Sequence, residues 1–85
     1  MAETRGLVQR LKVNTDGSAV ALIGPNLTNM TALNVTRTAA DTREQASTKD
    51  DIVSGLAAAM VAYREVVAVH GVADSNITQL RIEPV

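Results

Sequence analysis

The sequence predicts a mainly β domain with one helix, built as a small five-stranded OB-fold-like barrel. Three observations carry this expectation. Five short stretches have the alternating or continuously apolar character of strands. One longer stretch, Ser47 to Gly71, changes half-way from helical to strand periodicity. The resulting order, strand-strand-strand-helix-strand-strand, is that of a partly open Greek-key barrel. The alternative that the same order allows is an α+β sheet with one helix across one face.

Taken along the chain, residues 1–5 read as a loose end. From Gly6, GLVQRLKVN alternates, with Leu7, Gln9, Leu11 and Val13 expected on a buried face and Val8, Arg10 and Lys12 on the other. Asn14-Thr15-Asp16-Gly17 is a turn, because Asp-Gly readily supplies positive φ. Ser18 to Gly24 makes a second strand and closes a hairpin, and Gly24-Pro25-Asn26 is expected to break it. Leu27 to Ala32 reads as a loop. Ala32 to Thr38 alternates again as a third strand, and Ala39 to Thr48 is polar and reads as a loop.

The helix is expected over Lys49 to Tyr63. Ser47 or Thr48 can cap it, and Asp50 and Asp51 suit the positive end of its dipole. Ile52, Leu56, Ala59, Met60 and Tyr63 recur on one helical face, the expected core side. Val53, Ala57 and Val61 form a second apolar row, with Ala58 and Ala62 adding nothing polar. A helix apolar most of the way round is buried on more than one side. In so short a chain the second side calls for a partner, so Val53, Ala57 and Val61 are expected at an oligomer interface. Val66 to His70 is a continuous β-branched run, a buried fourth strand. Gly71 to Asn76 turns, Ile77 to Glu83 is the fifth strand, and Pro84 ends it.

At 85 residues the chain makes one domain, 1–85, with a core small enough that association would help it. A net charge of −1 with 20% charged residues argues against a general nucleic-acid or anionic-membrane binder. With no Cys there is no disulfide framework, thiolate metal site or thiol nucleophile. Tyr63 is the sole aromatic, so stacking on bases or sugars has little to work with. No signal peptide is expected from the polar start, nor any membrane span of roughly 18 apolar residues. The compartment is left open between cytosol and secretion with a leader removed.

The spacing Gly6-x-Val8-x-x-Leu11, the Asp16-Gly17 turn, the Ala-rich helix in SGLAAAMVAYREVVAVHG and the closing ITQLRIEP resemble the binding subunits of AB-type bacterial toxins, in the subtilase-cytotoxin and pertussis-like branch. The resemblance covers Gly6 to Ile82 as a pattern. It implies an OB barrel, closure of five subunits into a ring with helices along a central pore, and binding of cell-surface glycans. Those subunits usually carry a disulfide and sugar-contacting aromatics, which this chain lacks.

The residues that carry chemistry are few. His70 is the only histidine and reads as a structural residue at a strand end. Asp50 and Asp51 are explained by the helix dipole, and Asp41, Arg43 and Glu44 by a solvated loop. Asn26, Asn29, Asn34 and Asn76 each begin an Asn-x-Thr acceptor pattern, expected as chance in an Asn- and Thr-rich chain. An OB barrel binds ligands between the loop joining its first two strands and the loop joining its last two. Here those loops supply Asn14, Asp16 and Ser18, and Asp74, Ser75 and Asn76, short polar groups able to hydrogen-bond sugar hydroxyls. No catalytic residue, metal site or cofactor is expected. The function expected is a non-enzymatic, ring-forming homo-oligomer, with a pentamer favoured and carbohydrate as its ligand. The alternatives are a scaffolding oligomer without a small ligand and, less favoured, a single-strand nucleic-acid module.

Overall fold

A computed structural model describes residues 2–83. Its elements are β1 (Ala2–Val13), β2 (Ala19–Asn26), β3 (Asn29–Val35), α1 (Arg43–Ala62), β4 (Glu65–His70) and β5 (Ile77–Ile82). The five strands form one antiparallel sheet in the order β3-β2-β1-β4-β5. Strand β1 is the spine, its first half paired with β4 and its second half with β2. The two sheet edges approach at a single parallel bridge between Asn34 and Asn76. The sheet is thus an OB-like barrel that stays partly open, with α1 packed against it.

The bend that lets β1 serve both neighbours has a local cause. Val8 opposes Ile23 but Arg10 opposes Leu22, so Gln9 is an extra residue, a β-bulge. Its side chain is used at the bulge, where Nε2 donates to the Gly24 carbonyl at 2.9 Å. The bulge inverts the alternation. Before it Val8 faces the core, and after it Leu11 and Val13 lie opposite the buried Ala21 and Ala19. Simple alternation puts Leu7, Gln9 and Val13 inward and Val8 outward; the first two and Val8 are corrected by the bulge, Val13 is exposed at the strand end, and the expectation holds for Leu11, which packs on the core.

Several boundaries differ from those expected. Strand β1 begins at Ala2 because Ala2 to Leu7 find partners in His70 to Glu65, so there is no loose end over the described residues 2–5. Strand β2 continues through Gly24-Pro25-Asn26. The register shifts between Ile23 and Asn26, and a proline is tolerated at such an irregularity. Strand β3 starts at Asn29, inside the stretch expected as a loop, and stops at Val35 rather than Thr38. The helix begins at Arg43 because Thr42 caps it: its hydroxyl accepts from Gln45 N at 3.1 Å and Gln45 Oε1 accepts from Thr42 N at 2.9 Å, a capping box. Ser47 and Thr48 lie inside the helix, not at its start. Pro84, expected to end β5, lies outside the described residues.

The core is aliphatic. Leu56 on α1 is fully buried and sits among Ile23 and Leu33 of β2 and β3 and Val66 of β4, with Ile52 and Ala59 beside it on the helix. Met60 and Tyr63, expected on this face, are exposed although Ala59 of the same last turn is buried; Tyr63 ends the helix in the left-handed conformation and so leaves its periodicity. Strand β4 is buried on both faces. Val66 and Ala68 face the helix, while Val67 is covered from the other side. Val67 lies between Arg5 and Arg81 in the ladder. These arginines pair with Glu65 at 2.6 Å, Glu83 at 3.4 Å and 3.7 Å, and Glu3 at 3.6 Å. Ionic heads stay wet while their aliphatic stems cover apolar surface.

Candidate functional site

The two loops expected to bind a ligand are held by their own hydrogen bonds. In the β1–β2 turn Gly17 N donates to the Asn14 carbonyl, Asn14 N to the Ser18 carbonyl, and Ser18 N to Asp16 Oδ1. In the β4–β5 turn Asn76 N donates to Asp74 Oδ1 at 3.0 Å. Both turns are tied to the segment after β3. Arg37 N donates to Ser18 Oγ at 2.8 Å, and Thr36 Oγ1 to Asn76 Oδ1 at 2.9 Å. Asn34 joins in, with its backbone N–H on the Ser75 carbonyl at 2.7 Å and its side chain on Ser75 Oγ at 3.0 Å. Asn14, Asp16, Ser18, Asp74, Ser75 and Asn76 are therefore brought to one end of the barrel, around Thr36 and Arg37. Ser18, Ser75 and Asn76 bond across to the β3 segment, while Asp16 and Asp74 accept from N–H groups of their own turns.

Next to the seam lies a charge cluster. The Asp41 side chain, 8% exposed, accepts a hydrogen bond from Lys49 Nζ at 2.8 Å and forms an ion pair with Arg37 Nε at 3.5 Å, a buried donor with no hydrogen-bond partner among the described residues. The hydrogen bond from Lys49, then the Thr38 backbone N–H, hold the Asp41 carboxyl below its ordinary value. Arg37 also reaches Asp50. The cluster ties the segment before α1 to the first turns of the helix.

The sequence reading missed a groove over β1 and β2. It has a volume of about 680 Å³ and is lined by Leu11, Val20, Leu22 and Met60 together with Arg10 and Lys12. Arg10 and Lys12 share a face of β1 and stand across the ladder from Leu22 and Val20. A smaller recess of about 250 Å³, lined by Leu7, Gln9 and Tyr63 among others, continues from Met60 toward the helix end. Tyr63 caps α1 in the left-handed conformation, φ 55°, and the residue is 82% exposed. That conformation closes the helix, with the Tyr63 N–H reaching the Ala59 and Met60 carbonyls. The signal in the sequence was SAVALIG, a strand apolar on both faces, next to a strand with cations at alternate positions.

The expected interface row divides. Val53 is half-buried and packs on the core of its own chain. Ala57 is exposed and Val61 is 81% exposed, with Ala58 and Ala62 also open. His70 is satisfied within the chain. Its Nδ1 lies 2.9 Å from the Gly71 carbonyl, which only accepts, so Nδ1 carries the proton. Its Nε2 meets the Thr4 hydroxyl at 2.8 Å.

Among the described residues no three His, Cys, Asp or Glu side chains converge as a metal site would need. Among the described residues no helix is long and apolar enough to cross a membrane. No protein-family model matches the chain, and no curated protein is similar to it.

Proposed function

We propose that the chain is a non-enzymatic OB-fold subunit that assembles with copies of itself into a closed ring, five copies as in the toxin-binding subunits it resembles. The observation that carries this reading is the outward side of α1, where Ala57, Ala58, Val61 and Ala62 are all open to solvent. A small domain with a modest core gains from covering such a surface. A ring needs a head-to-tail contact, in which this helix side meets a different surface of the next copy. Carbohydrate is the ligand proposed for such a ring, at the polar loops gathered around Thr36 and Arg37.

The second reading is a scaffolding oligomer with no small ligand. It is favoured by the hydrogen bonds that already occupy Asp16, Ser18, Ser75 and Asn76. Light scattering on a size-exclusion peak gives the native mass, and a glycan array follows. A pentamer with a saturable glycan supports the ring lectin. An oligomer with no binder on the array leaves the scaffold, and a monomer removes both.

A further inference from the structure

We propose that the groove over β1 and β2 binds an anionic amphiphile, a carboxylate head on an unbranched alkyl tail. The inference does not depend on ring assembly, since it uses Met60 and the sheet face rather than Ala57 and Val61. The groove has the size of a small-molecule site, about 680 Å³. Val20 and Leu22 share the outward face with Arg10 and Lys12, while core-facing Leu11 and Met60 of α1 complete the apolar lining, flexible or aliphatic groups that suit a chain of methylenes.

The charged residues lining the groove are both cations, Arg10 and Lys12. Arg5, Arg37, Lys49 and Arg81 each make an ion pair. Among the described residues Arg10, Lys12, Arg43 and Arg64 make none, and of these four Arg10 and Lys12 are the two that line the groove, side by side on one face of β1. Two neighbouring cations repel each other, and a carboxylate between them relieves that repulsion while accepting charge-assisted hydrogen bonds. A sugar leaves the apolar wall wet and a cationic amphiphile adds a third positive charge, so the two halves of the groove together select an anion with a tail.

The test is calorimetric titration of the full chain with hexanoate, octanoate and decanoate, each below its micelle concentration. The expected result is saturable one-to-one binding that tightens about fourfold per added methylene. The Arg10→Gln/Lys12→Gln variant keeps the native circular dichroism and binds decanoate at least tenfold more weakly. Val61→Asp binds decanoate unchanged, so failure of the ring and failure of this site are separable. The proposal is overturned if decyltrimethylammonium binds as well as decanoate, if the Arg10/Lys12 variant binds unchanged, or if no titration saturates. It is equally overturned if the double variant lowers the native mass while decanoate does not bind, because the groove is then an interface between copies.

Discussion

Gly6 and Gly24 stand so close across the β1–β2 pair that a Cβ built on Gly6 would lie 2.8 Å from the Gly24 Cα. The contact sits where β1 leaves β4 for β2, one strand passing between two neighbours. Gly24 is hemmed in from its other side as well, since a Cβ there would be 2.9 Å from the Cα of Met30 and would overlap the Asn29 carbonyl. Both obstacles are backbone, which cannot swing aside as a side chain can. Gly24→Ala is therefore expected to destabilise the domain by about 3 kcal/mol or more, toward the severe end of overpacking. Gly6→Ala, also held at positive φ, should cost somewhat less. Urea unfolding of both variants reads the order, and a Gly24→Ala variant as stable as wild type would contradict the close approach.

Tyr63 gives a prediction of the opposite sign. A non-glycine residue in the left-handed conformation costs about 1–2 kcal/mol, and the exposed ring contributes little packing. Tyr63→Gly should stabilise the chain by about 0.5–1 kcal/mol in a thermal melt. A loss of stability would mean that the ring packs more firmly than its exposure implies.

The helix start is held by Thr42. Replacing it with Ala removes the acceptor for Gln45 N and should cost about 1 kcal/mol, while Thr42→Asp should keep most of the cap. Equal destabilisation by both substitutions would point away from capping.

Asp41 makes stability depend on pH at the acid end. Its carboxyl is held below the ordinary value of 3.8 by Lys49. Its contribution is then fully present above that value and lost as the pH falls through the lower folded value. Asp41→Asn should be less stable than wild type at neutral pH, and the gap should close on acidification below 3.8. A gap that stays constant between neutral and strongly acid pH would show that the carboxylate charge is not what holds the segment.

Two positions on the helix separate folding from assembly. Leu56 is fully buried, so Leu56→Ala should cost about 2–5 kcal/mol. Val61 is open, so Val61→Asp should leave the melting temperature within a few degrees of the wild-type monomer while abolishing any oligomer. Light scattering beside a melt measures both. A Val61→Asp chain that unfolds would place that side of the helix in the core.

Much of the architecture was legible because it depends on patterns that survive tertiary context. The strand–helix order follows from periodicity, and Ile52, Leu56 and Ala59 were found by their helical spacing. What escaped depends on pairing between distant residues. Nothing local in LVQRL marks Gln9 as a bulge; the bulge exists because β1 must serve two partners. Strand β3 reaches back to Asn29 only because β2 runs on past Pro25. The helix start differs in kind, since Thr42 and Gln45 carry capping-box spacing in the sequence itself, as Ser47 and Thr48 carry cap-forming side chains. At the site, the polar loop residues were recognised by type, but their hydrogen bonds to Thr36, Arg37 and Asn34 were not visible. Arg10 and Lys12 were placed on one face, yet the absence of carboxylate partners is a fact of three dimensions.

The division of β1 between β4 and β2 also sets the order in which the protein can be made. Lys12 opposite Val20 and Val13 opposite Ala19 are pairs a short nascent chain can close at once. Ala2 opposite His70 and Arg5 opposite Val67 must wait until residues 65–70 have left the ribosome. Until then the front half of the first strand has an open edge and no partner. Long-range pairs of this kind slow folding because chain closure precedes any gain in contact. The β1–β2–β3 meander is thus expected to form early, and the amides of residues 2–7 to gain protection from hydrogen exchange last.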